Sequence, residues 1–541
     1  MSRGTTHQPP TAAPDADEIP LLSHRQIVTI LSGLMMGMLL ASLDQTIVST
    51  AIRTIADDLH GLSIQAWATT AYLITATITT PIYGKLSDIY GRKPLYLTAI
   101  SVFLIGSLAC TFATSMYELA VYRAVQGLGA GGLMSLAMTI VGDIIPPRRR
   151  ARYAGYMMSV WGVSSVLGPV LGGLFAGMDT FVGLDGWRWV FLVNLPVGIV
   201  ALVVVTRVLN VPHQPRKQRI DWWGAATLTA FLVPLLILAE QGRQWGWTST
   251  TALVCVAVGL ASLVAFVLVQ RRMGEAGLIP LRLFTNKTFT VALIAGFILG
   301  VAMFGAIVLI PQYLQIVQGF SPTEAGLLSL PMMVGMMSST LIVGRITQKT
   351  GRYKIFPIIG TMVISLGSLL FAQLEWNSPT WHALVLMAVI GAGLGACMQT
   401  LMIAVQNAGP RRDMGVSTAS ATLFRQVGGT LGVAVFLSIL FSTLSGNIAS
   451  AFRSLGVSPA AVPKGVDVMA DSSFLQEIPL EQAKPFLIGF TESINSVFYV
   501  ASAVALLATV VLLFLKEIPL ADARGPHDRE SNAELAATTA G

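Results

Sequence analysis

The sequence predicts an all-α membrane protein with fourteen transmembrane helices, arranged as two six-helix bundles plus an inserted two-helix hairpin. Three observations lead to this prediction. Apolar residues make up 54% of the 541 residues and charged residues only 11%, whereas ordinary globular chains carry about 25% charged residues. Fourteen apolar runs have the length of a membrane span. Two parts of the chain also repeat each other's glycine pattern.

The apolar runs define the predicted helices. They cover residues 27–50, 65–83, 95–115, 118–142, 153–176, 188–208, 222–240, 251–269, 288–315, 323–343, 355–373, 381–405, 415–442 and 494–515. Each is about as long as the roughly 20 residues that an α-helix needs to cross a bilayer. No short apolar segment with a small-residue cleavage site precedes the first run, so we expect no removable signal peptide.

The positive charges lie on one side of the predicted membrane. If the N-terminus is cytoplasmic, 26 of the 34 lysines and arginines fall on cytoplasmic segments. This asymmetry is the positive-inside rule, and it explains the net charge of +7 without any nucleic acid. We therefore expect a multi-pass membrane protein with both termini in the cytoplasm.

An internal repeat divides the chain into two halves. The glycines of residues 127–131 superpose on those of residues 391–395 at an offset of 264, and residues 84–92 superpose on residues 344–352 at an offset of 260. The two matches occur in the same order, which indicates two bundles in the same orientation, a known plan of transporters. The pair of runs at 222–269 has no counterpart and is therefore interpreted as an inserted hairpin.

These observations give a complete predicted organisation. It consists of a cytoplasmic tail at 1–24, an N-terminal six-helix bundle at 25–209, an inserted two-helix hairpin with linkers at 210–287, a C-terminal six-helix bundle at 288–516 and a cytoplasmic tail at 517–541. Residues 443–493 are expected to form one long external loop. Residues 480–490 could form an amphipathic surface helix within it, or belong to a solvated loop without function.

Four motifs lie on or between the predicted helices. They are Leu43-Asp44-x-Thr46-Ile47-Val48, Gly84-Lys-Leu-Ser-Asp88-Ile-Tyr-Gly91-Arg92-Lys93, Leu119-x3-Arg123-x2-Gln126-Gly127-x-Gly129 and Gly162-x5-Gly168-Pro169-x2-Gly172-Gly173. With these motifs the chain resembles the major facilitator superfamily, and within it the fourteen-helix drug:proton antiporters of the EmrB/QacA type. The resemblance covers about residues 25–516. It implies the major facilitator fold, a location in the plasma membrane (the inner membrane of a bacterium) and efflux driven by the proton gradient without a cofactor.

The loop between helices 2 and 3 resembles a gate motif. Gly84 permits a close approach of helices and Gly91 permits a tight turn. Asp88 and Arg92 can pair across one helical turn, and Asp143 is the natural third member of the cluster. The resemblance implies that this cluster closes the cytoplasmic gate in the outward-open state. Alternatively, the basic residues serve only as positive-inside anchors.

The second half lacks the acids of this cluster. Gln348 stands at the position that corresponds to Asp88, and Asn407 stands at the position that corresponds to Asp143. We therefore expect the charged latch to act on the first half only.

Helix 5 carries the motif that resembles an exporter signature. Gly162, Gly168 and Gly172 permit close helix packing, and Pro169 permits a local bend. The resemblance favours a functional hinge, whereas packing alone would also explain such glycines.

Asp44 is the only acid well inside any predicted span. It shares one helical face with Gly33, Gly37 and Ala41, a small-residue face that packs against protein. Counted along the helices, Asp44 lies about 13 Å and Arg123 about 8 Å below the outer surface. We therefore expect the two side chains to meet directly or through water.

Two opposing influences act on a carboxyl group at this place. Burial favours its neutral form, and the nearby Arg123 favours its ionised form. A conformational change that alters either influence could load and release a proton, so we predict that Asp44 and Arg123 couple transport to protons. A purely structural ion pair is the alternative.

Arg425 on helix 13 is the other basic residue within a predicted span, and no acid within a span of the second half can neutralise it. It could bond to carbonyl groups or water, or meet an anionic group of a substrate. The remaining candidates for a substrate cavity are Tyr72, Gln126, Trp161, Gln312, Tyr313 and Gln399. Each of these side chains could equally serve in packing.

The sequence therefore predicts a proton-coupled antiporter that exports hydrophobic or amphipathic compounds and works as a monomer in the bilayer. The alternative is a dedicated exporter of one lipid or secondary metabolite. A facilitator without proton coupling would not need Asp44. A membrane enzyme is not expected, because there is no HExxH motif, P-loop or pair of metal-binding acids. The three cysteines have no metal-site spacing and are interpreted as packing residues.

Overall fold

A computed structural model gives the structure of the protein. It describes residues 23–60, 66–145, 147–209, 221–320, 322–410, 413–455 and 478–520. Four predicted regions lie largely outside the described residues: the two tails, the linker before the hairpin at 210–220 and the centre of the external loop at 456–477.

The described residues are almost entirely helical. The helices are α1 (His24–Asp58), α2 (Ala66–Tyr90), α3 (Arg92–Thr111), α4 (Met116–Ile144), α5 (Pro147–Ala176), α6 (Trp189–Leu192), α7 (Asn194–Val208), α8 (Trp222–Trp245), α9 (Thr250–Met273), α10 (Lys287–Gln312), α11 (Pro322–Leu328), α12 (Leu330–Thr350), α13 (Ile355–Phe371), α14 (Thr380–Ala408), α15 (Met414–Leu455) and α16 (Leu480–Leu513). The strands β1 (Thr180–Phe181) and β2 (Leu184–Asp185) form a small antiparallel hairpin between α5 and α6.

The predicted fold class is confirmed. Each predicted span lies on a helix, with α6 and α7 sharing the sixth span and α11 and α12 sharing the tenth. Among the described residues, 11 helical segments are long and apolar enough to cross a membrane by length and composition, and α13 is apolar but shorter. Many large apolar side chains on the outside of the molecule are exposed, as expected where lipid covers the surface.

The repeated glycines occupy equivalent places in the two halves. A Cβ atom at the first or third glycine of residues 127–131 would collide with backbone carbonyl groups of α2, and one at the second would collide with the backbone of α3. The glycines of residues 391–395 have the same relation to α12 and α13. Because only glycine lets these backbones come so close, the sequence repeat corresponds to a repeated packing of three helices.

The hairpin α8–α9 packs beside both halves. Its two helices lie against each other, and α8 also contacts α2 from the first half and α15 from the second. Asp221 caps α8, where its carboxylate accepts hydrogen bonds from the Gly224 backbone N–H at 2.7 Å and from Gln270 Nε2 at 2.8 Å. The hairpin therefore lies next to the junction of the two bundles.

The prediction of one external loop at 443–493 is wrong at both ends. Helix α15 continues to Leu455, and α16 begins at Leu480. Residues 480–490 are the first turns of α16, so they do not form a separate surface helix. Phe486 is buried and packs edge-on against Phe452 of α15, with ring centroids 5.3 Å apart. The apolar side of this segment packs against protein, because the two helices remain paired beyond the predicted spans.

The predicted C-terminal tail begins too early. The carboxylate of Glu517 accepts hydrogen bonds from the backbone N–H groups of Tyr353 at 2.7 Å and Lys354 at 3.1 Å. The Ile518 N–H donates to the Tyr353 hydroxyl at 3.0 Å, and Asn407 Nδ2 donates to the Ile518 carbonyl at 3.1 Å. Residues 517–520 are therefore bound to the second half. Most of these hydrogen bonds involve backbone groups, so the sequence does not predict them.

Candidate functional site

Asp44 and Arg123 form a buried ion pair between α1 and α4. Arg123 Nη1 lies 2.5 Å from Asp44 Oδ2, and the two side chains are 1% and 0% exposed. The expectation that these residues meet is confirmed, and the contact is direct. A charged group at this depth is costly without a partner, so each residue explains the presence of the other.

Side-chain amides complete the surroundings of the carboxylate. Gln126 Nε2 donates to Asp44 Oδ1 at 2.8 Å, and Asn194 Nδ2 donates to the same oxygen at 2.9 Å. Gln126 Oε1 accepts a hydrogen bond from Arg123 Nη1 at 2.6 Å. The guanidinium lies over the ring of Tyr72, 4.2 Å from its centroid. The carboxylate thus has three donors, as the ionised form requires.

Two members of this network, Asn194 and Ser107, were missed by sequence reasoning. Ser107 Oγ accepts from Gln126 Nε2 at 3.2 Å and from Asn194 Nδ2 at 2.9 Å, and donates to the Phe191 carbonyl at 3.0 Å. A signal for Asn194 was present, because it is a polar residue within the predicted span 188–208. Ser107 gave no signal, since a serine can satisfy itself within a helix.

This arrangement can respond to a proton. Protonation of Asp44 would turn one acceptor oxygen into a donor and leave the guanidinium of Arg123 without its counter-charge. The hydrogen bonds to Gln126 and Asn194 would weaken with the loss of that charge. Because both groups are buried, losing this charge changes the free energy of the interaction between α1 and α4 more than it would at a surface. A single protonation can therefore bias the packing of α1 against α4 and α7.

Helix α5 packs closely on α1 through two of its motif glycines. A Cβ at Gly168 would collide with Thr46, and a Cβ at Gly172 would lie 2.7 Å from the carbonyl oxygen of Ile47. The expected close packing is wrong for Gly162, because a Cβ there would meet nothing within 4 Å. The helix continues through Pro169, whose side chain lies outside the described part of the structure.

One end of the molecule contains the α2–α3 turn and the first turns of α10 and α15, and we call this end the basic face. A second charged cluster lies there. Arg92 pairs with Asp88 through Nη1 and Oδ1 at 2.6 Å, and with Asp143 through Nε and Oδ2 at 2.6 Å. The predicted cluster of Asp88, Arg92 and Asp143 is thus present. The turn that precedes Arg92 requires glycine, since Gly91 has a φ of 98°.

This cluster holds the two halves together. The carboxylate of Asp88 accepts hydrogen bonds from the N–H groups of Gly415 at 3.1 Å and Val416 at 3.2 Å, in the first turn of α15. A Cβ at Gly84 would lie 2.6 Å from the Cβ of Ala419, so α2 and α15 are in contact there. A carboxylate is favourable at a helix N-terminus, where N–H groups point outwards. The basic face is therefore closed by contacts between the halves.

The linker that follows the hairpin joins the same region. Lys85 Nζ of the first half donates to the Glu275 carbonyl at 3.2 Å. Arg282 Nη2 lies 2.6 Å from Asp413 Oδ2, just before α15 of the second half, and Arg282 Nε lies 3.7 Å from a carboxylate oxygen of Glu275. The residues between α9 and α10 therefore connect the two halves at the basic face.

The predicted cavity residues are distributed over both halves. Tyr72 and Gln126 belong to the Asp44 network. Tyr313 is buried in the core of the second half, where its ring packs edge-on against Phe371 at 5.3 Å. The others lie on different helices, namely Trp161 on α5, Gln312 on α10, Gln399 on α14 and Arg425 on α15. Trp161 and Gln312 are partly exposed, and Gln399 is buried.

Arg425 differs from Arg123 in its surroundings. It is partly buried on α15, and within the described ranges no acidic side chain forms an ion pair with it. The described residues also contain no cluster of three or more histidine, cysteine or acidic side chains that could hold a metal ion. Arg123 is thus neutralised by an acid in the first half, whereas Arg425 in the second half has no acidic partner among the described residues.

Comparisons with known proteins point to one family. The sequence model of the Major Facilitator Superfamily matches residues 34–433. The chain is 34% identical to the multidrug transporter protein MdtP of Bacillus subtilis over 93% of this chain and 95% of that protein. It is 32% identical to multidrug resistance protein 3 of the same organism, over 90% and 94% of the two chains. Among solved structures, the human organic anion transporter MFSD10 superposes with a TM-score of 0.59 at 14% identity, over 90% and 99% of the chains.

Proposed function

Because the chain belongs to the major facilitator superfamily, we propose that it is a proton-coupled antiporter that exports hydrophobic or amphipathic compounds. The observation that carries the proton coupling is the buried pair of Asp44 and Arg123. The names of the two Bacillus relatives support multidrug efflux. We place the protein in the plasma membrane with the basic face and both termini in the cytoplasm, because most of its positive charges lie there.

Proton exchange at Asp44 would drive the cycle. In the ionised form, the carboxylate holds α4 and α7 through Arg123, Gln126 and Asn194. Protonation weakens these bonds and favours a different arrangement of the helices. A substrate that stabilises one arrangement and a proton that stabilises the other can then exchange without touching, which is the minimum requirement for antiport.

The basic face acts as the cytoplasmic gate in this proposal. The bonds of Asp88 to the first turn of α15, which join the two halves at this face, support this role. Opening to the cytoplasm requires these bonds to break, so Arg92 and Asp143 stabilise the closed gate by holding Asp88 in place. The linker belongs to the same gate, because Lys85 and Arg282 attach it to opposite halves.

Proton-driven efflux in proteoliposomes tests the proposed function. Purified protein is reconstituted in vesicles loaded with ethidium, and efflux is followed after a pH gradient is imposed. We expect the gradient to accelerate efflux and its collapse by an ionophore to abolish the acceleration. A panel of chemically unrelated hydrophobic dyes separates a multidrug exporter from a dedicated one, since a dedicated exporter would move none of them. Gradient-independent movement of every dye would refute proton coupling.

Reversing the charge of Arg282 is expected to loosen the gate. Arg282→Glu would place a negative charge beside Asp413 and Glu275, so the linker should detach from the start of α15. Spin labels at Tyr90→Cys and Lys349→Cys, in a background without native cysteines, report the separation of the halves at the basic face by pulsed EPR. We expect a larger population at long distances.

Two further variants make this measurement specific. The double variant Arg282→Glu/Asp413→Arg restores opposite charges and should return the distance distribution to that of the wild type. Arg271→Glu makes the same reversal on an exposed turn of α9 and should have no effect. An unchanged distribution in Arg282→Glu would remove the linker from the gate.

Removing the charge of Arg425 is expected to change selectivity for the charge of the substrate. A guanidinium without an acidic partner inside the bundle attracts an anionic group, so Arg425→Gln should reduce the export of carboxyfluorescein more than that of ethidium. The control is Arg453→Gln, which removes the same charge from the exposed end of the same helix. Equal loss for both dyes would show that Arg425 serves structure and does not recognise substrate.

A further inference from the structure

Asn194 joins the Asp44 network from outside the four motifs. Its side chain is 1% exposed, and its Nδ2 donates to Asp44 Oδ1 and to Ser107 Oγ, both at 2.9 Å. Its Oδ1 is buried without a hydrogen-bond partner in the described part of the chain. An unpaired buried acceptor costs free energy, and the two hydrogen bonds of Nδ2 offset that cost. The side chain is thus oriented towards the carboxylate at the expense of its own carbonyl.

The position of Asn194 connects the carboxylate to the start of α7. Asn194 is the first residue of α7, and Val193 separates it from α6. Hydrogen bonds to an ionised acceptor are about twice as strong as those between neutral groups. The bond from Asn194 therefore depends on whether Asp44 carries a charge, and it links that charge to the first turn of α7.

We propose that Asn194 is a positioning residue for proton exchange: its N–H stabilises the ionised form of Asp44 and passes a change in that charge to α7. The inference rests on the proposed role of Asp44 as the coupling acid. The other charged or titratable groups that interact with Asp44 are Arg123 from α4, Tyr72 from α2 and Cys110 from α3. The described residues of α5, α6 and α7 add no further one at this point.

The pH dependence of gradient-driven ethidium efflux in proteoliposomes tests this role. Asn194→Val removes the donor with little change in volume, so the carboxylate loses one of its three hydrogen bonds. We expect the pH midpoint of efflux to move upwards by about 1 to 2 units, which corresponds to the loss of one hydrogen bond to a charged group. Asn194→Ser has a shorter side chain that still carries a donor and should give a smaller upward shift.

The second half offers a matched control. Asn447 Nδ2 on α15 donates to Ser493 Oγ at 2.9 Å, so Asn447→Val breaks a similar amide–serine bond outside the Asp44 network. We expect the midpoint of this variant to equal that of the wild type. If Asn194→Val fails to reconstitute, the upward shift of the pH midpoint in Asn194→Ser tests the role of Asn194 instead.

The outcomes separate this inference from the proposed function. An unchanged or lowered midpoint in both Asn194 variants would overturn the role of Asn194 while leaving proton coupling intact. If wild-type efflux does not respond to the gradient, or if Asp44→Asn remains coupled, the proposed function itself is wrong. The pH midpoint then does not report the protonation of Asp44.

Discussion

Asp44→Asn is expected to abolish the acceleration of efflux by a proton gradient. Asparagine has nearly the shape of aspartate but cannot take up or release a proton, so the variant is fixed in one charge state. The change also leaves Arg123 buried without its counter-charge; breaking a buried ion pair on one side costs about 3–5 kcal/mol. Ethidium efflux from proteoliposomes, with and without an imposed gradient, measures the effect. We expect the two rates to become equal.

The control lies on the same helix. Asp58, near the end of α1, is exposed and accepts a hydrogen bond from Trp187 Nε1 at 2.8 Å. Asp58→Asn makes the same chemical change outside the network, so its efflux should keep the gradient response. Thermal unfolding in detergent shows whether a variant is folded, which separates lost coupling from lost protein. Continued gradient-driven efflux in a folded Asp44→Asn variant would show that another group carries the proton.

Charged residues inside the membrane were the easiest part of the site to predict. A helix advances 1.5 Å per residue, so depth follows from counting along a span, and a charge in lipid needs a partner at a similar depth. Their depths predict the contact of Asp44 with Arg123, and the motif spacing predicts the cluster of Asp88, Arg92 and Asp143. In both cases the structure has the pairs in direct contact.

Packing and backbone contacts were harder to predict. In the sequence, Gly162, Gly168 and Gly172 look equally suited to close helix packing. Only the last two contact α1. The sequence does not show which face of α5 points to a neighbouring helix. Glu517 binds backbone N–H groups of Tyr353 and Lys354, which any sequence would provide. Such contacts depend on the tertiary arrangement, so they become visible only with the structure.

Asp88→Asn is expected to open the basic face in a larger share of molecules. The carboxylate accepts from the N–H groups of Gly415 and Val416 and pairs with Arg92. An asparagine could keep one acceptor but loses the charge that favours a helix N-terminus. A hydrogen bond to a charged group contributes about 1.5–3 kcal/mol, so the gate should open roughly 10-fold or more often.

The rate at which a maleimide labels a buried cysteine at this contact measures the opening. Met414→Cys places the reporter at the start of α15, where the native side chain is 3% exposed, in a background with Cys255→Ser. Gln348→Ala changes the corresponding position of the second half, which has no acid, and should leave the labelling rate unchanged. If Gln348→Ala opened the gate as much as Asp88→Asn, the latch would act from both halves. Because the charge that binds the first turn of α15 comes from α2, we expect the effect on one side only.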